Sequence, residues 1–163
     1  MRYRHVQDPR QVKSRIFPEQ HSTEKPQRSH LVKKLTSRDK AELIAQLAAE
    51  KKGQDIVLMD MRKVSVFCDW FVIVSVPSSR RLNAVSRTIE KELSKKKVRL
   101  LHEEGKGNMY WDLLDYGDVI VHIFYREVRD FYGLERLWSD ASVESFDEKC
   151  LAKTSQKDSR TSS

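Results

Sequence analysis

The chain has 163 residues, 39% of them hydrophobic and 34% charged, with a formal net charge of +7. That length suits one domain with flanking segments, and a core of this size folds without disulfide staples. Cys68 and Cys150 stand in no Cys-x-x-Cys or Cys/His ligand spacing, no apolar run is long enough to span a membrane, and Met1 is not followed by a secretory apolar region, so a soluble intracellular protein is expected.

The charge is segregated along the chain. Residues 1–40 hold eleven Lys and Arg against four Asp and Glu; residues 41–149 hold seventeen against nineteen; residues 150–163 hold three against one. The excess therefore lies in the flanks of a slightly acidic domain. Residues 1–35 carry three of the four prolines (Pro9, Pro18 and Pro26) and show neither helical nor strand periodicity, so they read as a disordered basic arm. Three readings of the arm stand side by side: RNA contact through Arg2, Arg4, Arg10, Lys13 and Arg15, a solvated tail, or an organelle-targeting segment interrupted by its prolines.

A domain is expected over residues 36–141. Thr36-Ser37-Arg38-Asp39 has the form of a capping box, and Leu43, Ile44, Leu47 and Ala48 give the helix after it one apolar stripe. Lys51-Lys52-Gly53 ends it. Asp55–Asp60 and Asp69–Val76 are continuous apolar runs, the pattern of strands covered on both faces. Pro77-Ser78-Ser79 is a strand exit and helix cap, followed by Leu82, Val85, Ile89 and Leu93 at helical spacing as far as Lys95-Lys96-Lys97. Val98–His102 is expected as a third strand and Glu104–Asn108 as a turn. Arg129–Trp138 is expected as a short helical segment packing Phe131, Leu134, Leu137 and Trp138; residues 142–163 are expected to form a polar, frayed tail. This order of elements implies a mixed α/β sheet with flanking helices.

The most informative stretch is Tyr110–Phe124. Two apolar runs flank Asp115-Tyr116-Gly117-Asp118, the pattern of a tight hairpin. Trp111, Tyr110 and Tyr116 beside Asp112, Asp115 and Asp118 match the composition of a protein-binding surface. The same run also reads as a core strand pair with an acidic turn.

Catalysis finds little support. Metal-dependent phosphoryl transfer needs paired acids on one strand face, and Asp112 and Asp115 fall on opposite faces of a regular strand. No metal site is expected among Asp60, Asp69, Asp112, Asp115 and Asp118. His102 and His122 lie in strands without a nearby nucleophile, His5, His21 and His30 are scattered through the arm, and the five glycines form no phosphate cradle.

From Asp55 to Trp138 the chain resembles the ribosomal silencing factors, or Iojap-like proteins. The resemblance is carried by Asp55-Ile56-Val57, by Asp69-Trp70-Phe71-Val72-Ile73, by Arg80, by Glu104-Gly105, by Trp111–Phe124 and by Arg129–Trp138. It implies a nucleotidyltransferase-like fold without catalytic carboxylates and no cofactor. It further implies binding to the large ribosomal subunit at its ribosomal protein number fourteen, which blocks small-subunit joining and represses translation. The hairpin would supply the docking surface, here Trp111, Asp115, Tyr116, Gly117 and Asp118. An RNA-binding assembly factor and an active nucleotidyltransferase relative are the alternatives. The family's Ser-Gly-Thr-Ser before the second helix is replaced by Ser75-Val76-Pro77-Ser78, and Arg81 stands where the family has His. A bacterial cytoplasmic location is the first expectation, with a mitochondrion or plastid as the alternative, and free copies could pair through the hairpin surface.

Overall fold

The computed structural model describes residues 34–146. Arg2, Arg4, Arg10, Lys13, Arg15 and Cys150 lie outside the described residues. In chain order the elements are α1 (Ser37–Glu50), β1 (Gln54–Asp60), β2 (Trp70–Val76), α2 (Ser79–Lys95), β3 (His102–Glu104), β4 (Trp111–Asp115), β5 (Val119–Tyr125), α3 (Arg126–Tyr132), α4 (Leu134–Leu137) and β6 (Ser142–Ser145).

Both long helices begin where their side chains satisfy the free amides of a first turn. The Thr36 hydroxyl accepts from the Asp39 amide while the Asp39 carboxylate accepts from the Thr36 amide, closing the capping box. The Ser78 hydroxyl accepts from the Arg81 amide and starts α2. The run Ser75-Val76-Pro77-Ser78 thus provides a working helix start.

The six strands form one sheet in the order β3-β4-β5-β2-β1-β6. β2 and β5 run parallel, and every other neighbouring pair is antiparallel. The two parallel strands occupy the centre, and β2 is buried along its whole length, as its unbroken apolar run requires. On one face α1 and α2 cover Ile56, Leu58, Val72, Val74, Val121 and Ile123. On the other, the 61–68 connector and the short helices α3 and α4 cover Met59, Phe71, Ile73, Leu113, Ile120 and Phe124. The mixed sheet with flanking helices matches the expected architecture.

Three boundaries differ from the sequence reading. Val98–Leu101 is not a strand, because regular pairing with β4 begins only at His102 opposite Asp115. Residues 129–138 form two helices rather than one, broken at Gly133, whose φ of 53° ends α3 in the left-handed region. Residues 142–145 are not frayed: they pair with β1 as the edge strand β6, and Arg38 donates to both Glu144 carboxylate oxygens at 3.0 and 2.8 Å. All four β6 residues are exposed, so no apolar pattern marks the strand.

Candidate partner-docking surface

The hairpin forms as its sequence suggests. β4 and β5 pair from Trp111 opposite Phe124 to Asp115 opposite Ile120. The Tyr116 amide donates to the Val119 carbonyl at 2.9 Å, and the Asp115 carboxylate accepts from the Gly117 amide at 2.7 Å. Gly117 has a φ of 88°, a conformation that favours glycine at this turn. The Asp118 carbonyl accepts from the amides of Asp69 and Trp70, while its carboxylate pairs with Lys40 of α1. Asp115 and Asp118 therefore fasten the hairpin tip while remaining partly exposed.

Trp111 and Tyr116 are not open anchors. Trp111 is 8% exposed and Tyr116 5%. Side chains alternate along β4, sending Trp111 and Leu113 into the cluster beneath α3 and α4, and Asp112 and Leu114 toward α2. The reading of both rings as surface contacts is corrected on this geometry. The sequence did not reveal which short segment would roof β4.

That roof creates an aromatic layer. Trp111 stacks on Tyr132 with centroids 5.9 Å apart, and Tyr132 meets Phe124 at 5.1 Å. His122 lies among Phe71, Trp111 and Phe124, and neither ring nitrogen has a hydrogen-bond partner among the described residues. Burial pushes its imidazole down to about 3, so it is a neutral packing group at ordinary pH.

Phe131, expected to pack inward, is instead 58% exposed beside Tyr132. Phe67 is 55% exposed in the connector whose Met61, Val64 and Cys68 pack against this face. Arg129 fixes the helix that presents Phe131. Its guanidinium donates to the Glu135 carboxylate at 3.0 and 2.6 Å, to the Ser75 hydroxyl at 2.9 Å and to the Asp55 carbonyl. The sheet face with only short helices is thus rimmed by exposed aromatic rings on restrained backbone, the usual construction of a protein contact.

The carboxylates do not converge. Asp60 is held down to about 2 by hydrogen bonding to Arg62. Asp112 lies on the opposite face, where it accepts from the Ser86 hydroxyl, and burial raises its carboxyl to about 6. No group of three or more His, Cys, Asp or Glu suited to a metal ion occurs among the described residues. Cys68 is buried, which pushes its thiol up to about 12.

A family model described as "Ribosomal silencing factor during starvation" matches residues 34–163. The ribosomal silencing factor RsfS of Bacillus subtilis is 34% identical over 98 residues, spanning 60% of this chain and 83% of the relative. A crystal structure of a protein from Chromobacterium violaceum superposes with a TM-score of 0.62 at 28% identity, covering 64% of this chain and 87% of that one. A mouse relative named "Mitochondrial assembly of ribosomal large subunit protein 1" is 29% identical over 111 residues, covering 66% of this chain and 47% of its own length.

Proposed function

Because the chain belongs to the family of ribosomal silencing factors, we propose that it binds the large ribosomal subunit at ribosomal protein number fourteen, blocks joining of the small subunit and so represses translation. The observation that carries this reading is the sheet face roofed by α3 and α4, with Phe131 and Phe67 exposed at its rim. A steric blocker needs a rigid docking surface and bulk behind it, and no reaction centre. Phe131 makes the apolar contact, with Trp111 supporting it from beneath; Asp115, Gly117 and Asp118 contribute a polar edge at the hairpin tip, where Tyr116 packs toward the α1 and α2 side. The same surface pairs two free copies until the subunit displaces one. The protein acts as a binding factor rather than an enzyme, on a ribosome of a bacterial cytoplasm or an organelle.

The test is co-sedimentation of the full chain with isolated large and small subunits. Binding to the large subunit alone supports the proposal; binding to neither, or to the small subunit, defeats it. A second reading, an assembly factor for the large subunit, is favoured by the name of the mouse relative and by the basic arm, whose Arg2, Arg4, Arg10, Lys13 and Arg15 would meet ribosomal RNA. Under that reading, depleting the protein lowers the yield of mature large subunits, and deleting residues 1–35 abolishes binding rather than weakening it.

A further inference from the structure

A groove of about 790 Å³ opens between the start of α1, the end of α2 and the hairpin tip. Lys34, Lys96, Lys97 and Arg99 line it, and among the described residues none of these four is paired with a carboxylate. The acid on its wall, Asp118, is already engaged by Lys40. Leu35, Val98 and the ring of Tyr116 supply apolar wall. Cations spread over a convex surface are simply solvated. Cations converging on a concavity with low-dielectric walls focus their field into it and attract a counter-charge.

We propose that this groove binds the phosphodiester backbone of an RNA strand. A single phosphate would leave most of the volume empty. A mononucleotide would need a stacking platform, and the ring in the wall, Tyr116, is only 5% exposed. Successive phosphates along a strand match several cations spread along an open groove. The sequence ahead of Lys34 is basic in the same sense: residues 1–33 hold eight Lys and Arg against three Asp and Glu. The groove is also distinct from the face carrying Phe131: it lies beside α1 and α2, whereas that face is roofed by α3 and α4. The groove meets the proposed docking surface only at the hairpin tip, where Asp118 forms part of its wall. This inference goes beyond the docking reading and does not depend on it.

The experiment measures fluorescence anisotropy of a labelled single-stranded RNA oligonucleotide with the full chain across a salt series. Three proteins are compared: wild type, Lys96→Ala/Lys97→Ala/Arg99→Ala just past the end of α2, and the control Arg80→Ala/Arg87→Ala/Lys91→Ala, which removes equal charge from α2 itself outside the groove. Each phosphate contact on a single strand contributes about 0.7 to the slope of log affinity against log salt. The groove variant should therefore lose about 2 from the slope, while the control keeps the wild-type slope. A groove variant with the wild-type slope, or a control that loses as much, would overturn the proposal in favour of solvated or diffuse charge. Because free RNA is the probe, neither outcome bears on binding to the ribosomal protein.

Discussion

The indole of Trp111 lies nearly parallel to the ring of Tyr132, with centroids 5.9 Å apart and an interplanar angle of 19°. The contact joins β4 to α3 and turns the most conspicuous aromatic of the hairpin into a support for the helix that exposes Phe131. Truncating it removes a large buried ring and leaves a cavity. Trp111→Ala should cost about 3–5 kcal/mol of stability, measured by urea unfolding. A loss under about 1 kcal/mol would mean that the ring is not packed as described.

Phe131 should behave in the opposite way. Its ring is largely exposed, so Phe131→Ala should change stability by no more than about 0.5 kcal/mol. It should weaken large-subunit binding by about 2 kcal/mol if it anchors the contact. Unfolding and binding measured on the same preparation separate the two effects. Unchanged binding would move the contact away from α3.

The contrast between these two residues shows what was legible in the sequence. The capping box at Thr36 and Asp39, the Ser78 cap and the hairpin turn at Gly117 depend on neighbours within a few residues, and all three were readable. Strand periodicity also separated Asp112 from Asp115. It does not say which face a distant segment will roof, so Trp111 and Phe131 exchanged their expected places. β6 was hidden for a related reason: its pairing with β1 and the link from Arg38 to Glu144 lie far from it in sequence, and its own residues are polar. The basic groove joins residues from 34 to 118, a juxtaposition no local pattern announces.

Two glycines in the turn before β4 separate strain from crowding. Gly105 has a φ of 91°, and a Cβ there would sit 2.4 Å from the Trp111 carbonyl oxygen. Gly107 has a φ of 80° with nothing within 4 Å of a Cβ. Gly107→Ala should cost only the left-handed penalty of about 1–2 kcal/mol. Gly105→Ala must also move backbone and should cost clearly more. Equal losses in chemical denaturation would contradict the close approach.

Asp112 and His122 should oppose each other in acid. Folding holds the His122 imidazole at about 3 against an ordinary 6.5, so its contribution falls as pH drops from 6.5 toward 3. Folding raises Asp112 to about 6 from 3.8, so its contribution falls as pH rises across that window. Between pH 4 and 6 the two act in opposite directions. Relative to wild type, Asp112→Asn should lose stability as pH is lowered from 6 to about 4.5, and His122→Leu should gain it. Urea unfolding at the two pH values checks the signs; slopes of the same sign in both variants would refute the pairing.

The central claim, that the aromatic-rimmed face blocks subunit joining, meets its most direct test in a sucrose-gradient joining assay. Isolated large subunits are incubated with the full chain, small subunits are added, and the fraction of joined ribosomes is read. Wild type should hold the subunits apart in proportion to its occupancy of the large subunit, and Phe131→Ala at the same concentration should let them join. Normal joining while wild type remains bound to the large subunit would contradict the account.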